Sequence, residues 1–267
     1  MTNKDLISQY VDTGIPIPEY QFDKLSPNDK RTYLRKMEIS IEQDIRKVKF
    51  YYGEFSLDKQ LELINRTPNA IIYLRNPSEE VQMVSVSKIG SLIQYITNPS
   101  EEVQIVAVQQ DGESIKHITN PSDRVQMIAV QQNGNALKYI KNPSEAVQLV
   151  AVKRNGRALV FVQTPTLEIQ LAAVSKSGMA IQYIDDPSEE VQMAAVKDDG
   201  YAIQWIDYPS EAVQFVAIQQ NVGAIAHITN PSEEVQMACV KAYGSAIHLM
   251  RKPTDRVKEL QKQLWGN

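Results

Sequence analysis

The chain is short of most residues that would mark a secreted, membrane-spanning or catalytic protein. Cysteine occurs once in 267 residues, at Cys239, so no internal disulfide framework can form and a reducing compartment is expected. No run approaches 18 apolar residues, so no membrane-spanning helix is expected. The opening MTNKDLISQYVDTG carries acids and lacks a long apolar core, so it is not expected to act as a signal peptide. Basic excess is missing too: 28 Lys and Arg stand against 32 Asp and Glu, a net charge of −4, which gives nucleic acid or anionic lipid no general hold. There is no phosphate-binding glycine loop and no nucleophile elbow. These absences make an enzyme the poorest fit. A cytoplasmic, non-catalytic protein without cofactor, metal or membrane attachment is expected.

What the chain has is one phrase written repeatedly. NPSEEVQ begins at Asn76 and again at Asn98; NPSDRVQ begins at Asn120 and NPSEAVQ at Asn142, always 22 residues on. Nine prolines keep that spacing from Pro77 to Pro253. Repeats take precedence over single elements, because a fixed period defines the architecture. Gln60 and the stretch AIIYLRN from Ala70 to Asn76 keep the period on the N-terminal side, and PTDRVK from Pro253 starts a further unit.

The phrase reads as a helix start with Asn as N-cap, Pro at the first helical position and Glu at the third, a capping box. Asp186 and Thr164 can replace Asn in that role. Tyr208 and Lys252 cannot, so weaker starts are expected there. An apolar run follows, such as VQMVSV or VQFVAI, and predicts a helix buried around most of its circumference. Its small column, from Ser85 and Ala107 to Ala217 and Cys239, predicts close helix–helix approach and makes Cys239 a buried alanine substitute. Glycine recurs at 90, 112, 134, 156, 178, 200 and 244. It reads as a left-handed helix stop. Val222 breaks that column, and a local kink is expected there. A second short helix follows each glycine.

Each unit is thus a helix of about ten residues, a turn and a helix of about six, neither stable alone. The expected fold is an all-α solenoid of about nine stacked 22-residue two-helix repeats over 55–258, with a helical N-terminal cap over 1–54 and a capping tail over 259–267. In the N-terminal part, GIPIPE from Gly14 reads as an extended connection, Ser26-Pro27-Asn28-Asp29 as a capped helix start, and Ser40 to Lys49 as another helix. Leu260 and Trp265 lie on the tail helix that should close the other end. The pattern P-S-E-E-V-Q-x-x-A-V-x-x-x-G-x-A-I-x-Y-I resembles a 22-residue helical repeat family known as a domain of unknown function, found in phages, giant viruses and bacteria and similar in spirit to HEAT and armadillo repeats. The resemblance covers residues 55 to 258. It implies a solenoid and a viral or bacterial origin, and it brings no catalytic residue.

Three columns could do more than hold the stack. An unvarying glutamine lies inside the apolar run: Gln60, Gln82, Gln104, Gln126, Gln148, Gln170, Gln192, Gln214 and Gln236. A buried amide needs partners. A structural ladder, bonding to the adjacent inter-helix turn or to the next glutamine, is favoured over a polar ligand stripe, which should vary between units. The second column is aromatic or imidazole: Tyr95, His117, Tyr139, Phe161, Tyr183, Trp205 and His227. It is either a half-buried seam or a row of anchors for a partner. His117 and His227 are five units apart and His248 lies in a third unit, so they cannot share a metal. The third is the variable surface, with Lys153, Arg154, Arg157, Asp198, Asp199 and Tyr201. Residues 138–158 hold five basic residues against one acid, net +4, and residues 185–240 hold ten acids against one lysine, net −9. Opposed patches suit a steered protein interface. The expected partner is another protein, such as a host or defence factor bound by a phage or bacterial protein. The alternative is a nucleic-acid-binding solenoid using the basic patch near 138–158. Against it, residues 55–250 carry 14 basic and 21 acidic side chains.

Overall fold

A computed structural model describes residues 56–266 apart from Arg75, together with a few residues between 5 and 32. Among the described residues the elements are helical throughout, with no strand. The α-helices are α1 Leu57–Arg66, α2 Glu79–Lys88, α3 Glu101–Gln110, α4 Asp123–Gln132, α5 Glu145–Arg154, α6 Leu167–Lys176, α7 Glu189–Asp198, α8 Glu211–Gln220, α9 Glu233–Ala242 and α10 Asp255–Trp265. Between them lie six-residue 3-10 helices, from Pro68–Tyr73 to Gly244–Leu249. The second helix of each repeat is therefore a 3-10 helix. The chain divides into two units, 1–119 with α1–α3 and 120–267 with α4–α10. Within each, neighbouring repeats stack in sequence order, α-helix beside α-helix and 3-10 helix beside 3-10 helix, the all-α solenoid arrangement.

The helix starts differ from the expected register by two residues. Asn does not cap: Asn76, Asn98, Asn120, Asn142 and Asp186 have φ of 49° to 53° and turn the chain through the left-handed region, which Asn and Asp tolerate better than other residues with a Cβ. Pro follows, and Ser is the N-cap. In α2 the Ser78 hydroxyl accepts from the Val81 amide at 3.4 Å, and Ser100 does the same for Val103 at 3.3 Å. This shift removes the weak starts expected at Tyr208 and Lys252, because Ser210 and Thr254 cap α8 and α10 at 3.3 Å each. It also displaces Thr164: the N-cap of α6 is Thr166, whose side chain makes no capping bond.

Glutamate does not close a capping box either. At the first helical position it accepts from the N-cap hydroxyl of the next repeat: Glu145 from Thr166 at 2.8 Å, Glu233 from Thr254 at 2.7 Å, and Glu79 from Ser100. The phrase thus links one repeat to the next.

Gly90, Gly134, Gly156, Gly178, Gly200 and Gly244 adopt no left-handed conformation; what they provide is space. A methyl on Gly134, Gly156 or Gly200 would lie 2.5 Å from the carbonyl oxygen of Ala151, Ala173 or Ala217 in the following repeat. The small column and the glycine column are therefore two sides of one contact, and the alanines on it are fully buried. The 3-10 helix starts instead with an Asx cap in several repeats, as where Asn155 accepts from the Arg157 amide at 3.1 Å. Val222 takes the glycine position before α9, and there α8 and α9 pack less closely than the other neighbouring α-helices of their unit.

The fully buried positions of the interior α-helices form a stripe, and the other residues of the apolar run are mostly partly covered. In α7 that stripe is Val191, Ala195 and Val196, joined by Ala202, Ile203 and Ile206 from the 3-10 helix and its end. Each large aliphatic side chain removed from water contributes about 1.5–3 kcal/mol, which stacking recovers and an isolated repeat cannot. In the N-terminal part, Ser26 accepts from the Asp29 amide at 3.2 Å and donates to its carboxylate at 2.8 Å, as its sequence predicts. GIPIPE and the helix expected over 40–49 lie outside the described residues.

Candidate functional site

The glutamine column resolves into a clamp inside each repeat. Gln82, Gln104, Gln126, Gln148, Gln170, Gln192, Gln214 and Gln236 each donate from Nε2 to the carbonyl oxygen of the proline five residues back, at 2.8 to 3.1 Å. In five of the eight the residue before the proline is a left-handed Asn or Asp, but Gln170, Gln214 and Gln236 close the same loop after Thr164, Tyr208 and Asn230, so the clamp does not depend on that turn. That carbonyl belongs to the inter-helix turn just before each α-helix, so of the two partners expected the amide takes backbone of the adjacent turn and not the next glutamine. Gln236 alone of the eight also accepts across repeats in the described chain, from the Thr254 amide at 3.2 Å. The Oε1 atoms of Gln126 and Gln214 are buried without a partner among the described residues.

The aromatic column ends each 3-10 helix and faces water. Tyr95 is 55% exposed in the first unit; Phe161, Tyr183 and Trp205 are 39%, 37% and 47% exposed on three consecutive repeats of the second. The buried 3-10 positions, such as Ile181 and Ile203, lie two residues earlier and hold the helix down, leaving the aromatic at its rim. Tyr139 is half-buried, with the Lys138 ammonium 4.5 Å from its ring centroid. His117, also half-buried, is held below the ordinary histidine range by desolvation and by Lys116, and so is neutral at pH 7. Its column-mate His227 meets Tyr201 edge-on at 5.7 Å between centroids.

The variable-surface residues divide. Lys153 and Arg154 at the end of α5 and Arg157 on the next 3-10 helix are exposed. Asp198 and Asp199 are engaged within the fold: the Gly178 amide donates to Asp198 at 2.6 Å, and Asp199 accepts from the Tyr201 amide at 3.0 Å. The first is a contact between repeats that Gln110 and Gln220 make to Gly90 and Gly200 at 2.7 Å. A residue at this position therefore has a stacking role wherever its side chain can accept. Tyr201 keeps 38% exposure, although its hydroxyl lies over Gly223.

One surface escapes the sequence reading. In α4–α9 of the second unit two apolar columns, at the positions of Met193 and Ala194 in α7, are only partly covered. Between α6 and α7 they floor an open depression of about 460 Å³ with Leu171, Ser175, Glu190 and Lys197 around it.

Among the described residues no group of three His, Cys, Asp or Glu side chains could hold a metal ion, and no helix is long and apolar enough to cross a membrane. Comparison with protein-family models, with curated proteins and with solved structures finds no match to this chain.

Proposed function

We propose that the chain is a non-catalytic protein-interaction scaffold. The observation that carries this reading is the row of exposed aromatic side chains, Phe161, Tyr183 and Trp205, one per repeat on a regular stack. Large rigid aromatics are the residues most often found at the energetic centre of protein interfaces, because they bury much surface for little lost entropy. Repeat proteins present such rows at fixed spacing, so one partner can engage several at once. In keeping with the resemblance of its repeats, the chain is proposed to be a phage or bacterial protein that recruits or inhibits a host or defence factor.

The test is capture from lysate of the native or host cell at two salt concentrations, with and without nuclease. The wild-type chain is expected to retain one protein in stoichiometric amount after nuclease, and the Tyr183→Ala/Trp205→Ala variant to lose it. Retention by the double variant would remove the aromatic row from the interface. The second reading, nucleic-acid binding, is favoured by the exposed cluster Lys153, Arg154 and Arg157. It predicts binding that falls steeply with salt and disappears when those three charges are neutralised.

A further inference from the structure

We propose that the outward face of α5–α9 is a docking groove for an amphipathic helix of a partner protein, apolar along one edge, basic on one flank and acidic on the other. The inference takes protein binding as given and assigns it a second surface, carried by different helices from the aromatic row.

The floor comes first. Leu149, Leu171, Met193, Phe215 and Met237 occupy the same position in successive α-helices, and each is only partly buried. Beside them stand Val150, Ala172, Ala194, Val216 and Ala238, also partly buried. Side-by-side packing of neighbouring α-helices joins these residues into an apolar strip crossing the helices, and the small alanine beside Met193 leaves the 460 Å³ depression. The strip is not part of the fully buried core, and its columns turn polar in the first and last α-helices. At the Met193 position α10 carries Glu259, exposed, and at the Ala194 position α1 carries Glu62, which pairs with Lys59. A contiguous apolar row left partly exposed marks a contact surface. Unbranched methionine suits a surface that adapts to side chains of a partner.

Charge then selects the occupant. On the N-terminal side of the strip stand Glu168, Glu190 and Glu234; on the C-terminal side stand Lys153, Lys197 and Lys241. None of the six has an ion pair or side-chain hydrogen bond among the described residues. Their neighbours Glu145, Glu189, Glu211 and Glu233, by contrast, accept from the cap of the next repeat. Glu190 and Lys197 are seven residues apart on α7, about 10.5 Å along the axis, too far to pair and close to the ~10–12 Å diameter of a helix with its side chains. A single extended strand would leave that width half empty. A helix lying across α5–α9 repeats its apolar face every seven residues, about 10.5 Å, near the roughly 8–10 Å between packed helices, so successive anchors reach the apolar strip of successive α-helices. Its basic flank meets the glutamates and its acidic flank the lysines.

The test pans a display library of 21-residue helical peptides, with heptad-spaced apolar positions and randomised flanks, on the immobilised full chain. Enriched peptides are then titrated by fluorescence anisotropy against wild type, Met193→Glu, Lys197→Glu and Trp205→Ala. Enriched peptides should carry bases on one flank and acids on the other. Met193→Glu should weaken them at least about tenfold, and Lys197→Glu by several-fold, recovered by a peptide with lysine in place of the facing acid. Trp205→Ala should change nothing. Thermal melts of Met193→Glu and Lys197→Glu that match wild type show that both variants keep the fold. No enrichment, enrichment without the flank pattern, or equal binding to Met193→Glu would overturn the groove. Loss confined to Trp205→Ala would also overturn it while leaving the aromatic row as the binding surface.

Discussion

A single methyl group decides how closely two repeats can stack. At Gly156 the carbonyl oxygen of Ala173 lies where a Cβ would be, and a backbone atom cannot rotate away. Gly156→Ala is therefore expected to destabilise by about 1–3 kcal/mol, the range of core overpacking, read as a lower denaturation midpoint. Gly223→Ala is the control, since its neighbour is the hydroxyl end of Tyr201, which can swing aside at little cost. Equal losses at the two sites would remove the close-approach argument. Cys239 carries the second prediction at this scale. It is fully buried in the small column, and burial pushes its thiol from an ordinary 9.0 up to about 12. The folded chain keeps the neutral thiol where the unfolded chain ionises, so this contribution to stability is complete below pH 9 and is lost as pH rises toward 12. Cys239→Ala should flatten the alkaline fall in melting temperature, and a thiol reagent at pH 8 should modify the native chain far more slowly than the denatured one.

At the scale of the element, the period, the ten-residue α-helix and the short second helix are all legible in the sequence, because proline and glycine punctuate both ends of every repeat. The details within NPSE are not. Three of its four residues can serve a helix start, and the letters do not display that Ser takes the cap while Asn, in four of the repeats, makes a left-handed turn before the proline. Glutamate at the first helical position meets a hydroxyl 21 residues away, which local reading assigns to its own helix. The glycine has two physical explanations, a left-handed stop and a close approach, and only the Ala carbonyl of the next repeat distinguishes them. Val222 tests the distinction. Val222→Gly should let α9 close on α8, seen as slower amide hydrogen exchange in both helices. Unchanged exchange would place the cause of the loose joint elsewhere.

Taken over the whole molecule, the same sequence columns have different neighbours at different places in the stack, and this is why part of the candidate surface escapes a column-by-column reading. An apolar column reads as core, yet the columns of Met193 and Ala194 are only partly covered in α4–α9; the sign of this in the sequence is that Glu62 and Glu259 take their places in α1 and α10. The end of the second unit shows the matching case. Interior glycines lie under the backbone of the next repeat, whereas Gly244 lies under the ring of Trp265, whose Nε1 donates to the Val240 carbonyl at 2.9 Å. The indole thus covers the last glycine and satisfies a carbonyl in α9, while the outer side of α10 is polar, with Arg256, Lys258, Glu259 and Lys262 exposed. Terminal repeats of a stack need such a cover, because each repeat is held mainly by its neighbours. Trp265 is half exposed, so Trp265→Ala should cost less than the ~3–5 kcal/mol of a buried tryptophan, about 1–2 kcal/mol. The loss should be local: hydrogen exchange should quicken in α9, α10 and the 3-10 helix between them while α5–α7 keep their protection. Uniform acceleration across the second unit would show that α10 is coupled to the entire stack rather than capping its last repeat.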